Sequence, residues 1–440
     1  MDSKQLFATT KPSKLFFLAA IPGAISMLAS SLYGLFDGIF VGNIVGDTAF
    51  AALNLAFPFV IINFSLADLI GVGSSVPISI KLGENKDKEA SNYFTCACIM
   101  IFLAGIFMGA LLFFLAPFLM TIQGATGELS DLAVKYVRIY ALFSPVTTAV
   151  FAFDNYLRIC GKIRTSMVLN IFMSVFTVVL EFIFLFVLQL GVVGAALAAC
   201  LGMVAAIIIA FTPFALGKML LRFTKPKFSV HLIKYTVSGG IPAFLSNIAG
   251  RATSILMNSA LLSLGGQNAV SVYGVLSYAG DMVRPVFYGL CDSLQPAVSF
   301  NYGAGRKDRS WAIEKYCFAS SAIVSVLAAA ISFAFPEQIA KLFLGNSSQQ
   351  LIADTVFAIR IFSFSYFFRW FVSASQSCLT AFDRPLAASV ISVCDAFVFP
   401  IILLALLYPL GLLGIWLNYP VTCALVAIMA ALILIGKKSR

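Results

Sequence analysis

Ile21-Pro22-Gly23-Ala24-Ile25-Ser26 returns as Ile241-Pro242-Ala243-Phe244-Leu245-Ser246, 220 positions later in a chain of 440 residues. That offset is half the chain, and other landmarks keep it. Gly46 pairs with Gly266, Gly83 with Gly303, and Leu190-Gly191-x-x-Gly194 with Leu410-Gly411-x-x-Gly414, while Pro77 and Pro296 fall one residue short. Solenoid repeats recur every ~20–50 residues, so this period describes two copies of one large unit fused head to tail. Prolines, glycines and basic loops repeat while the apolar residues between them drift, as expected of two lobes sharing one helical path.

Apolar residues make up 60% of the chain and charged residues 11%, against roughly 45–50% and 25% in soluble domains. The chain therefore reads as an integral membrane protein. Crossing the hydrocarbon takes about 20 helical residues, and twelve apolar runs are long enough: 15–40, 50–80, 92–115, 132–156, 165–188, 193–214, 235–262, 269–299, 311–335, 351–379, 386–408 and 412–435. None alternates as the strands of a membrane barrel do. The expected fold is all-α: twelve transmembrane helices in two pseudo-symmetric six-helix lobes around a central cavity. The first lobe covers 1–217, a basic linker 218–234 and the second lobe 235–440. The first run is too long and too interrupted, by Pro22 and Asp37, for a cleavable signal, so it is read as the first span.

The formal charge of +10 suggests nucleic acid until the basic residues are sorted by loop. Twenty-one of the 29 lysines and arginines fall at the termini or in loops on one side of the predicted membrane, and one, Lys341, on the other. The remaining seven, Lys135, Arg138, Arg251, Arg284, Lys315, Arg360 and Arg369, lie in or at the ends of spans. By the positive-inside rule both termini and the linker are cytoplasmic, which places a multi-pass protein in the cell (inner or plasma) membrane. The charge thus records orientation in a lipid bilayer, and no nucleic-acid partner is expected.

Nine cysteines sit within or at the ends of spans, where packing is their usual role, and the one histidine, His231, has no second histidine with which to hold a metal. No nucleophile–base pair or phosphate-cradling glycine loop is present. No enzymatic activity, metal or organic cofactor is expected.

What remains is the polar content of the spans. A carboxylate at mid-membrane costs about 2.5–3.5 kcal/mol on insertion scales, so it faces a cavity or a partner. The candidates are Asp37, Asp68, Glu181, Asp281, Asp292 and Asp395. Asp37 lies beside the small-residue stripe Ser30, Gly34, Gly38, Gly42, one turn after Tyr33. Asn170, Ser174, Thr177 and Glu181 are spaced 4, 3 and 4, one polar face on the fifth span. Asp37 and Glu181 match in depth, so they can share a proton or a cation. Asn247, Arg251, Ser254 and Asn258 repeat that spacing on the seventh span around an arginine. Asp281 and Arg284, three apart, predict a local ion pair; Asp292 and Asp395 read as cavity acids.

Leu294-Gln-Pro296-Ala-Val-Ser-Phe-Asn301-Tyr302-Gly303-Ala304-Gly305-Arg306, followed by a basic loop, resembles the eighth-span signature of the multidrug and toxic compound extrusion (MATE) family. Val76-Pro77-x4-Leu82-Gly83-Glu84-Asn85-Lys86 resembles its first-lobe counterpart, and Val193-Gly194-Ala195-Ala196-Leu197 the start of the sixth span. The resemblance covers nearly the whole chain and implies export of small amphipathic organic cations by a monomer, against inward proton or sodium flow. It implies coupling at Asp37 and Glu181, with Thr177 and Asn170 beside them. In place of the family's Asn-x-x-x-Asp-Pro the chain reads Thr177-x-x-x-Glu181-Phe182, and Ala199 stands where a threonine is frequent, which favours a proton over sodium and the branch coupling through the first lobe. Gly289-Leu-Cys-Asp292 resembles a Gly-Leu-Cys-Glu stretch of some members, which implies a cavity role for Asp292 alongside Tyr33, Arg251, Asn258, Asp281 and Asp395. Pro22 is the expected kink of the first helix, and a flexible linker joins the rocking lobes. Rival readings are a flippase or exporter of a lipid-linked or anionic amphipath, a non-transporting receptor or scaffold, and an intramembrane enzyme.

Overall fold

The structure, a computed structural model, describes residues 3–40, 44–45, 47–344 and 348–436, without the side chains of 3, 34–40, 47, 50 and 267. A short surface helix α1 (Ser3–Thr9) precedes α2 (Pro12–Phe40), α3 (Asp47–Gly83), α4 (Asp87–Ile122), α5 (Gly127–Ile159), α6 (Ile163–Phe182) and α7 (Gly191–Ala215). After the linker come α8 (Val230–Asp292), α9 (Gln295–Gly303), α10 (Lys307–Ala334), α11 (Pro336–Leu344), α12 (Gln349–Ser363), α13 (Tyr366–Ala381), α14 (Pro385–Val393), α15 (Phe399–Leu407) and α16 (Leu412–Ile435). Among the described residues every regular element is helical, as a chain without water to satisfy its backbone requires.

These helices make twelve spans in two lobes of six. α2 to α7 are the first six. The merged helix α8 breaks at Gly266 (φ 62°, ψ −152°) into the seventh and eighth spans, and α9 completes the eighth. α12 and α13, bent by 48°, form the tenth; α14, a π-turn at Cys394–Val398 and α15 form the eleventh. Among the described residues nine helices are long and apolar enough to cross a membrane alone, and the bent pair makes a tenth. The remaining two spans are the halves of α8, whose embedded amides, arginines and Asp281 dilute their apolar character.

The repeat is visible in the backbone. Gly191 and Gly411 both take a left-handed φ (57° and 62°) at the start of the sixth and twelfth spans. Asn85 and Gly305, also 220 apart, do the same (59° and 75°) at the ends of the second and eighth. The lobes meet through a matching seam. Gly83 lies against the Phe300 carbonyl and Gly303 against the Ile80 carbonyl, so a Cβ on either would overlap the other lobe's backbone. Gly240 abuts the Leu69 carbonyl, Gly73 abuts Thr236 and Gly240, and Gly23, next to Pro22, abuts Gly289 and Ser293. Close backbone approach at small residues is how membrane helices adhere without a hydrophobic drive between them. α2 runs as one helix through Pro22.

All these contacts lie in the half of the spans nearer the basic loops. One apolar core there runs through both lobes, with Leu15, Ile78, Phe94 and Tyr156 on one side and Leu294 and Phe300 on the other. In the opposite half each lobe has its own core, around Ala52, Met120 and Tyr136 in the first and Leu261, Val272 and Trp416 in the second. The lobes are therefore joined at the basic-loop end and separate toward the other. α1 straddles the joined end: Lys4 pairs with Asp87 at 2.6 Å, and Asn301, Arg306 and Arg309 donate to its last carbonyls and the one beyond.

The linker differs from the flexible tether expected. The backbone amides of Arg222, Thr224 and Lys227 donate to Ser91, Thr95 and Asn92 of α4 at 3.4, 3.0 and 2.8 Å. Residues 230–234 are already helical, started by Ser229, whose hydroxyl accepts from the Leu232 amide at 3.1 Å.

Candidate coupling and substrate site

Several polar groups sit inside the apolar bundle, and three of them hold the candidate residues. The first belongs to the N-terminal lobe. Glu181 is fully buried on α6, immediately before a π-turn at Ile183–Val187. π-turns are rare insertions that collect at functional sites. The Tyr33 hydroxyl of α2 donates to Glu181 Oε1 at 3.2 Å, so the tyrosine expected beside Asp37 reaches the other carboxylate. The Asp37 side chain lies outside the described residues. Thr177, one turn inward, spends its hydroxyl on the Met173 carbonyl at 2.8 Å, and Gly202 of α7 leaves it just enough space. The Ser174 hydroxyl is buried and has no hydrogen-bond partner among the described residues.

Asn170 does not join this site. Eleven residues at ~1.5 Å each put it about 16 Å from Glu181 along the helix, in a second group nearer the basic loops. There Asp154 accepts from Arg158 at 2.6 Å, Ser166 at 2.5 Å and Asn170 at 2.8 Å. The stripe read as one face is thus two sites. Asp292 lies near Arg158 in charge terms and is not isolated: the Gln295 amide donates to it at 2.8 Å and to Ser377 at 3.0 Å. Asp68 accepts from Asn247 across the seam at 3.2 Å. Glu314 on α10, only 3% exposed, has Asp292 as its charged neighbour. Asp154 and Glu314 were not among the acids singled out from the sequence. The spacing of Asp154 and Arg158, four apart on one helix face, was the available signal for the first; nothing local marks the second.

The third group fills the C-terminal lobe. Arg369 and Asp395 form a buried ion pair at 2.5 Å, with each side chain 8% exposed. Asp395 lies in the π-turn of the eleventh span, the second-lobe counterpart of the Glu181 helix. Asp281 and Arg284 pair at 2.5 Å as their spacing predicts, yet remain accessible. Arg251 lies beside that pair; it and Asn258 are exposed. A Cβ added to Gly250 or Gly274 would meet no atom within 4 Å, so open space borders this part of α8. The first and third groups thus carry different charge: a carboxylate at Glu181, and three arginines (Arg251, Arg284 and Arg369) with two carboxylates (Asp281 and Asp395) in the third.

Comparison with known proteins gives this architecture a family. The MatE family model matches residues 22–183 and again 242–406, starting at the same 220-residue offset as the sequence repeat. The multidrug export protein MepA of Staphylococcus aureus (strain NCTC 8325 / PS 47) is 26% identical over 371 residues, covering 82% of this chain and 80% of MepA. MepA of Staphylococcus saprophyticus is 24% identical over 448 residues, covering 99% and 97%. Among solved structures, a MATE transporter in complex with MaL6 is 24% identical and superposes with a TM-score of 0.92 over 97% of this chain and 96% of that one. An outward-facing multidrug resistance MATE transporter of the MOP superfamily, also 24% identical over the same shares, gives 0.91. These structures share the fold described above, and the paired family match settles descent: this multi-pass membrane protein belongs to the MatE family of transporters.

Proposed function

We propose that this protein exports lipophilic organic cations by proton-coupled antiport with alternating access, as a monomer in the cell membrane with its basic loops and both termini in the cytoplasm. The multidrug export named for the MepA relatives supports the export reading. The single observation that carries the coupling is Glu181: a carboxylate with no exposed surface, in a span otherwise apolar on its flanks, reached by a tyrosine hydroxyl from the first helix. A carboxylate kept in that setting is retained for ion work. A proton needs one carboxyl oxygen; sodium needs several oxygens, and Asn170, the amide of this helix, serves Asp154 instead.

With the lobes joined at the basic-loop end, the cavity faces outward in this state. A proton arriving at Glu181 neutralises it and changes what Tyr33 can donate to, so α2 repacks against α6 and bound cation leaves. Opening of the glycine seam around Gly83 and Gly303 returns the cavity to the cytoplasm, as in other repeat-built transporters. In proteoliposomes carrying an imposed pH gradient, a lipophilic cationic dye should dissipate that gradient, and a sodium gradient of equal size should be left intact. Dissipation of sodium alone would reverse the coupling ion, and no movement of either would remove the antiport reading.

A further inference from the structure

Arg251 is an embedded charge that the coupling scheme leaves unused. It stands mid-span on α8, exposed, next to the open space at Gly250. Among the described residues its guanidinium makes no hydrogen bond and no ion pair. The nearest charges are Asp281 and Arg284, but Asp281 is held by Arg284 at 2.5 Å and Asp395, further into the lobe, by Arg369 at 2.5 Å. Three arginines thus face two carboxylates. A charge in a membrane span is costly to insert and marks a functional position. Asn258 follows Arg251 by seven residues, on the same helix face, and offers an amide; Ser254, three residues on, donates its hydroxyl to the Gly250 carbonyl at 2.9 Å. The Phe362 ring, stacked on Tyr419 at 5.0 Å, lies beside Gly280 and the Arg284 guanidinium and gives the Asp281–Arg284 pair an apolar neighbour.

We propose that Arg251, with Asn258 on the same face, is a subsite for an oxyanion (carboxylate, phosphate or sulfonate) carried on an amphipathic molecule. Cations then engage the carboxylates of the cavity while Arg251 takes the anionic end of a zwitterion. The transport half of this statement rests on the export reading; the binding half does not.

The test uses the full chain in phosphatidylcholine nanodiscs and a dansyl-labelled undecanoic acid as probe. Arg251→Gln should bind the probe at least about ten-fold more weakly than the parent, the scale of a lost charge-assisted hydrogen bond, and Arg251→Lys should fall between them. Equal affinity of the parent and Arg251→Gln overturns the subsite, as does equal loss in both variants, which would make the effect one of shape. Repeating the titration with phosphatidylglycerol in the disc separates the sources. Competition by that lipid assigns the subsite to a headgroup; no competition assigns it to a soluble amphipath. Arg251-dependent probe binding in a protein that moves no cationic dye would sink the cation-export reading and leave the subsite standing.

Discussion

A methyl group added at Gly83 should loosen the joined end of the molecule by a calculable amount. The new Cβ would overlap the Phe300 carbonyl oxygen and stand 2.9 Å from the Ala304 nitrogen and 3.0 Å from the Phe300 carbonyl carbon. Heavy atoms prefer about 3.5–4.0 Å and the Phe300 oxygen would be the nearest of the three, so α3 and α9 must part by roughly 1–1.5 Å. Both neighbours are backbone and cannot swing aside. Overpacking of this kind costs about 1–3 kcal/mol, and the strain exists only while the seam is closed. The ratio of seam-closed to seam-open molecules should therefore fall about 5- to 150-fold. Ser79, one turn earlier on the same face of α3 and 1% exposed, is a suitable reporter. In a cysteine-free background, Ser79→Cys should react with a thiol reagent faster by a factor in that range when Gly83→Ala is present. Gly303→Ala should do the same from the other side, because its Cβ would stand 2.8 Å from the Ile80 Cα. The two together should add less than their sum, since they strain one contact. Gly274→Ala meets no atom within 4 Å and should leave labelling unchanged. Unaltered labelling in both seam variants would refute the idea that these glycines hold the lobes together.

Arg369→Gln should destabilise the protein by about 3–5 kcal/mol, because it leaves Asp395 buried without its partner, whereas Arg369→Leu with Asp395→Leu should recover most of the loss; thermal melting in detergent reads both. Gly202→Ala should cost about 1–3 kcal/mol, since its Cβ would overlap the Thr177 hydroxyl, and Thr177→Ala in the same chain should restore the melting temperature; no restoration would mean that α6 and α7 are strained elsewhere. Glu84, in the loop after the second span, is held below its ordinary value of 4.5 chiefly by its hydrogen bond from Lys86, with Lys81 adding to it. A depressed carboxylate stabilises above its unfolded pKa and loses that contribution as pH falls through the lower folded value. Limited proteolysis of this loop should therefore be the same at pH 5.5 and 7.5, so that any pH dependence of transport in that window arises elsewhere.

Much of the architecture was legible because it is written in features a single chain displays. The 220-residue repeat, the twelve apolar runs and the sorting of lysine and arginine among loops gave the lobes and span positions to within a few residues. Pairings within one helix were equally readable: Asp281 with Arg284 follows from spacing alone. Pairings between helices were not. That Tyr33 meets Glu181, that Asn170 serves Asp154, and that Arg369 takes Asp395 depend on how helices rotate and cross. A stripe spaced 4, 3, 4 cannot say where along its length the neighbour changes. The linker misled for the same reason. Its basic, proline-containing composition suggests a free tether, but Ser91, Asn92 and Thr95 of α4 happen to lie where its amides need acceptors.

The central claim is that Glu181 carries the coupling proton. The most direct measurement compares two assays of Glu181→Gln in proteoliposomes: exchange of labelled cation across a membrane without any gradient, and accumulation driven by an imposed pH gradient. The neutral amide stands in for the protonated carboxyl, the state from which bound cation leaves, so both exchange and pH-driven accumulation should fall to background, with Thr177→Ala retaining both. Full pH-driven accumulation by Glu181→Gln would contradict the account and move the coupling site to the acids at the seam, Asp68, Asp292 and Glu314.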